Sequence, residues 1–141
     1  MNYAKAVIKA NEARENNDCG VKAVAIACDV AYIVAKKALE KQGRIARKGA
    51  SLGSILDAFK ALGFKAERVE LKAKTVTGLE SDPTVKAGHY VALVRGHILA
   101  IKNGSVEDWT EGRKHRIVLA YKITPNATRN ERKALAKAAL A

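Results

Sequence analysis

The changing periodicity along this chain predicts an α+β fold, with N-terminal helices packed on an antiparallel β-sheet. Three observations carry that expectation. Apolar residues recur at helical spacing up to Leu62. From Phe64 onward the pattern turns to short strand-like runs, densest over His89 to Lys102. Between two such runs stands Asn103-Gly104, a strong two-residue hairpin signal that makes the pairing antiparallel.

The elements follow in order. Residues 1–16 read as polar sequence with no element, ending in Asn16-Asn17-Asp18. Asn and Asp suit a helix N-cap, so a buried helix is expected to start at Cys19 and run through Cys28. A second helix is expected from Tyr32 to Gln42, where Ile33, Val34, Lys37, Ala38 and Lys41 keep helical spacing and Gly43 suits the C-terminal stop. Residues 44–50 read as a basic loop. Ser51 suits the cap of a third helix carrying Leu52, Ile55, Leu56, Phe59 and Leu62, which Gly63 ends. Strands are expected over 64–71, 89–95, 97–102, 105–109 and 117–123, with a short helix over 75–80 closed by Asp82-Pro83. Residues 1–123 make one domain. Residues 124–141 form a basic C-terminal tail, helical or disordered, with only Leu135 and Leu140 as large apolar anchors.

Bulk properties narrow the function. The chain has 141 residues, 26 basic and 14 acidic, for a formal charge of +12. That excess favours weak polyanion binding without selecting a partner. No apolar run approaches the roughly 20 residues of a membrane span, and no secretory signal is seen, so a cytoplasmic protein is expected. Two cysteines do not make a disulfide scaffold. There is no C-x2-C, no H-E-x-x-H and no glycine-rich phosphate loop, so neither metal nor cofactor is expected.

What remains is one cysteine, one histidine and one carboxylate. A thiolate nucleophile needs a lowered pKa, which a helix N-terminus helps to supply, and a base that is itself oriented by a third group. Cys19 stands at such a helix start. Cys28 lies about 180° round the same helix and reads as a buried apolar residue. The Asn103-Gly104 turn opposes Lys102 to Ser105. Counting outward, His97, Leu99, Asp108 and Thr110 share one sheet face, with His97 and Asp108 as diagonal neighbours. Glu107 points the other way unless a one-residue bulge exchanges the two acids, so it is held in reserve. Trp109 shields the pair or simply packs. His89 opens an earlier strand and is the alternative base. His115, in Arg113-Lys114-His115-Arg116, is expected to face solvent.

Asn17-Asp18-Cys19-Gly20-Val21, followed by small and apolar helix residues, resembles the active-site start of papain-like cysteine peptidases. It is similar in particular to the peptidases that process bacteriocin leader peptides and to small related phage and bacterial proteins. Gly96-His97-Ile98-Leu99-Ala100-Ile101 and Val106-Glu107-Asp108-Trp109 resemble the histidine strand and acidic return strand of that group. The resemblance spans residues 14–123. It implies a papain-like fold, a thiol protease acting on a peptide or protein, and Cys19, His97 and Asp108 as the triad. His89-Tyr90-Val91-Ala92-Leu93-Val94 also resembles the histidine strand of the leader-processing enzymes. One departure stands out: those enzymes carry an oxyanion-binding Gln six positions before the cysteine, and this chain has Ala13. Asn16 or Asn17, or the Cys19 N–H, would then take that role. The competing reading is a non-catalytic binding module on the same fold. It would dock nucleic acid or an acidic protein on Arg44, Arg47, Lys48, Arg113, Lys114 and Arg116.

Overall fold

The computed structural model describes residues 1–141. Four helices come first: α1 (Tyr3–Glu12), α2 (Cys19–Cys28), α3 (Tyr32–Lys41) and α4 (Leu52–Ala61). Strand β1 (Phe64–Arg68) and two 3-10 turns (Thr77–Ser81 and Pro83–Val85) lead to β2 (His89–Val94), β3 (His97–Lys102), β4 (Ser105–Glu107), β5 (Leu119–Pro125) and a last helix, α5 (Arg129–Ala139). The strands form one sheet in the order β1-β5-β2-β3-β4, every pair antiparallel. The helices-then-sheet order predicts this α+β arrangement correctly. No helix is long and apolar enough to cross a membrane.

Helix α2 is the centre of the main core. Val21, Val24 and Ala25 are wholly buried, and the helix packs on β3, α3 and α1. Its approach to α4 is close: a Cβ on Gly20 would come 3.1 Å from Ile55 Cδ1. Ser51 caps α4 as expected, its Oγ accepting the Ser54 N–H at 3.1 Å. On the other face of the sheet, Leu79 and Val85 from the 3-10 turns, with Val76 just before them, cover Tyr90, Ala92, Leu99 and Ile101. Strands β2 and β3 are therefore buried on both faces, which is why they read as unbroken apolar runs.

The structure departs from the sequence expectation at several ends. Residues 3–12 form α1, where none was expected. Only Ala6 and Ala10 of that helix are fully buried, with Tyr3 and Val7 half-buried beside them at i, i+3, i+4, i+7 spacing. Asn2 caps it by accepting the Lys5 N–H at 2.9 Å, and Glu107 accepts the Tyr3 N–H at 3.0 Å. Strand β1 stops at Arg68. Strand β5 starts two residues late, because Arg116 and Ile117 pair with Thr75 and Lys74. The short helix is a 3-10 turn over Thr77–Ser81, and β4 ends at Glu107 instead of 109.

The last segment is a capped helix docked on α3. Thr128 and Glu131 form a reciprocal capping box, each side chain bonding the other's backbone N–H. Arg132 lies over the Phe64 ring with 5.5 Å to its centroid, and Ala139 enters the main core. Composition hides this because alanines and an arginine stem do the packing, while Leu135 and Leu140 stay partly exposed. Thr128→Ala should cost about 1 kcal/mol in urea unfolding. It should also speed hydrogen exchange across residues 132–139 more than across α2; uniform acceleration would contradict separate docking of this helix.

Candidate active site

Cys19 is the first residue of α2, where helix N–H groups have no intrahelical acceptor. Asp18 stands at the N-cap position, yet its side chain makes no capping bond. The expected side-chain cap is thus replaced by a different role. Asp18 is buried, accepts the Tyr32 hydroxyl at 2.7 Å, and pairs with Lys22 at 3.0 Å. Burial and then this carboxylate push the Tyr32 hydroxyl far above its usual pKa.

His97 opens β3. The Asn103-Gly104 turn sets the register Lys102–Ser105, Ile101–Val106 and Ala100–Glu107. Just past β4 the chain brings Asp108 back to the histidine, with Oδ2 2.8 Å from His97 Nε2. The same oxygen accepts the Thr110 N–H at 3.1 Å and the Thr110 hydroxyl at 2.6 Å. Thr110 is fully buried and locks the carboxylate; sequence reasoning placed it on this face but gave it no role.

With Nε2 taken, Nδ1 of His97 is the nitrogen left for Cys19. Burial would raise the thiol pKa. The neighbouring His97 ring, the Ile98 and Gly20 N–H groups and the ring's charge outweigh it, and the net shift is downward. Burial likewise favours neutral His97, but the bond to Asp108 and the negative charges of Asp108 and the neighbouring Cys19 prevail, and the ring is raised to about 9. The shifts are of opposite sign and reinforce each other, as in a thiolate–imidazolium pair.

These groups line a cleft of about 220 Å³, together with Tyr3, Asn17, Lys22, Gly96 and Trp109. A larger cavity lies at the other end of α2 and holds neither Cys19 nor His97. The half-exposed Trp109 ring is tilted over His97 with centroids 5.3 Å apart, and Arg113 lies over its other reach at 5.5 Å. His115 differs from the expected solvent-facing residue. Its ring meets Trp109 edge-on at 5.4 Å, and its Nδ1 is buried without a partner.

The remaining candidates are held elsewhere. His89 sits at the far end of α2, its Nδ1 2.7 Å from the Ala27 carbonyl. Glu107 serves the start of α1. Asn17 lines the cleft, but its amide donates to the Arg47 carbonyl at 3.2 Å; Asn16 is exposed and does not line it. Ala13 ends α1 and is exposed. No group of three or more His, Cys, Asp or Glu residues converges to hold a metal.

Arg44 is a correction to the basic-loop reading. It is buried, and its guanidinium grips Glu15 through both terminal nitrogens, at 3.0 and 3.3 Å. It also donates to the carbonyls of Asn16 and Lys48. Glu15 in turn accepts the Arg47 N–H at 2.8 Å. This cluster fastens the loop that leads into Cys19, and neither residue could be assigned that role from a chain of scattered charges.

A model of the peptidase C39 family matches residues 8–103. The chain belongs to the peptidase C39 family. The matched span holds Cys19, His89 and His97, and ends before Asp108. No curated protein and no solved structure matches the chain significantly. Membership brings cysteine peptidase chemistry and the papain-like fold class to this chain, in agreement with the helices and antiparallel sheet described above.

Two outcomes follow for this C39 chain. Arg44→Met leaves the Glu15 carboxylate without its main partner in a dry site, and should cost about 3–5 kcal/mol in denaturant unfolding. Limiting iodoacetamide at pH 6.5 should label Cys19 well before Cys28, whose thiol burial pushes up strongly. His97→Ala should slow that labelling, and Asp108→Ala should slow it less. Equal slow labelling of both cysteines, unaffected by His97→Ala, would contradict an activated Cys19.

Proposed function

We propose that this protein is a cysteine peptidase that cleaves a peptide or isopeptide bond through Cys19, His97 and Asp108. The observation that carries the reading is the shared cleft. His97 meets Asp108 through Nε2 at 2.8 Å, and Cys19, at the start of α2, lines the same cleft as that ring. Family membership supports the reaction class, and the local geometry supports the assignment of roles.

The reaction then runs in two halves. The Cys19 thiolate attacks the scissile carbonyl carbon, and its oxygen becomes an oxyanion beside the first turn of α2. The Cys19 N–H is the donor that best suits this oxygen, since the Asn17 amide is bound to Arg47. His97, as imidazolium, gives its proton to the leaving amine and the C–N bond breaks. Neutral His97 next takes a proton from water, which attacks the thioester and frees the acid and Cys19. Asp108 keeps the ring oriented and stabilises its cation; Thr110 fixes Asp108. Within the peptide class, the segments Asn17–Val21, Gly96–Ile101 and Val106–Trp109 resemble those of leader-processing enzymes, so leader-type peptides are the first substrates to try.

The competing binding-module reading loses part of its footing, because Arg44 is buried in an ion pair and unavailable to a partner.

On peptide substrates, kcat/KM should be bell-shaped in pH. The acid limb should fall below the ordinary thiol range, since Cys19 is lowered, and the alkaline limb should lie near 9, where His97 loses its proton. His97→Ala should lower kcat/KM by roughly 10²–10⁴-fold. His89→Ala should leave it within about twofold of the parent, on the same estimate that only the acting base carries that factor. A large loss from His89→Ala with retained activity in His97→Ala would reverse the assignment.

A further inference from the structure

A second, larger cavity lies at the end of α2 opposite Cys19. It measures about 720 Å³, within the range of small-molecule sites. Ten residues of helix, roughly 15 Å, separate it from the nucleophile. Its floor is apolar: Val34 of α3, Leu62 after α4, Phe64 of β1 and Ile123 of β5. Its rim is cationic, with Lys122, Arg129, Arg132 and Lys133.

The rim charges are poorly matched from within. Arg132 is held by the Ala127 carbonyl at 2.6 Å and by the Phe64 face. Arg129 and Lys133 are exposed and form no ion pair. The one carboxylate in the wall, Asp29, is already occupied by the Met1 ammonium at 3.0 Å and by Lys102.

A second nucleophilic centre does not explain the cavity, although Cys28, Asp29 and His89 all border it. The His89 Nδ1 lies on the Ala27 carbonyl, which can only accept, so Nδ1 carries a hydrogen and is not free to take one from a thiol. Cys28 stays a protonated, apolar wall residue, its pKa pushed up by burial. What fits a greasy floor under unpaired cations is a molecule with the converse pattern.

We propose that this cavity binds a long-chain carboxylate, its tail on the Val34–Leu62–Phe64–Ile123 floor and its head on Arg129 and Lys133. A guanidinium offers the carboxylate two parallel N–H donors, and the ammonium adds a second charge. The tail gains by leaving water, which should tighten binding by about threefold per added methylene. Neither half suffices alone: a short carboxylate lacks the tail, and an alkyl cation is repelled by the rim. The site is independent of the peptidase reading.

Calorimetric titration of the full chain with dodecanoate, below its micelle concentration, tests this. One saturable site is expected, with octanoate weaker by tens of fold and acetate silent. The Arg129→Glu/Lys133→Glu double variant replaces exposed groups and should weaken dodecanoate at least tenfold while Cys19 labelling stays unchanged. Amide shifts caused by dodecanoate should centre on residues 27–34, 62–64 and 122–136. The proposal fails if dodecanoate does not saturate, if dodecyltrimethylammonium binds equally, or if the double variant binds as the parent does. Binding confined to vesicles of anionic phospholipid, or to an acidic helical peptide but not to dodecanoate, would also overturn it.

Discussion

Helix α2 has no polar face to give to solvent. Eight of its ten residues are buried, and its two less buried ones, Cys19 and Lys22, lie at its N-terminal end and line the cleft. Such a helix can sit only where protein covers it on every side. β3 supplies one of those covers, and β3 begins with His97. Docking the helix on the strand therefore brings Cys19 and His97 into one cleft, and contacts around the helix hold that docking. Gly20 permits the close approach of α4, Tyr32 holds Asp18, and the Glu15–Arg44 pair fastens the incoming loop. A change in any of these would shift Cys19 relative to His97 without touching either, and under the proposed reaction small displacements are costly to chemistry that depends on near-contact geometry.

The distribution of acidic residues has a related logic. The chain carries a large positive excess, yet many of its carboxylates stand at joints of the fold. Asp18 and Asp108 flank the cleft, Glu15 anchors the loop before it, and Glu107 receives the first turn of α1. Asp82 accepts the N–H groups of Ala73 and Thr84 where the chain crosses to the second core. Each meets a hydrogen-bond donor or a cation, as buried carboxylates must. Uncommitted positive charge is left on the surface, including the rim of the large cavity.

Much of this was legible in the sequence because it rests on local signals. The Asn103-Gly104 turn fixes the hairpin, and counting from it brings His97 and Asp108 together. The start of α2 at Cys19 follows from where dense apolar sequence begins. Other features were hidden for definable reasons. Helix α1 carries Tyr3, Ala6, Val7 and Ala10 at helical spacing, but its fully buried residues are only two alanines, so the stripe is weakly apolar and easily passed over among polar neighbours. Helix α5 packs through alanines and the stem of Arg132, which composition counts as polar. The roles of Glu15, Arg44 and Thr110 depend on partners from 2 to 32 positions away, and charge content cannot choose those partners. His115 looked solvated inside a basic run, but Trp109 covers it. Asp18 looked like a cap, but Tyr32 and Lys22 outcompete the helix N–H groups for its oxygens.

The central claim is that Cys19 and His97 form a charged pair in the resting protein. Thiolate absorbance near 240 nm, followed against pH as the difference between the parent and Cys19→Ser, measures it directly. The account predicts a thiolate already present well below the free-cysteine pKa of about 8.5, and lost toward neutral thiol at the same pH when His97 is changed to Ala. A Cys19 titration at or above that ordinary value, indifferent to His97→Ala, would contradict it.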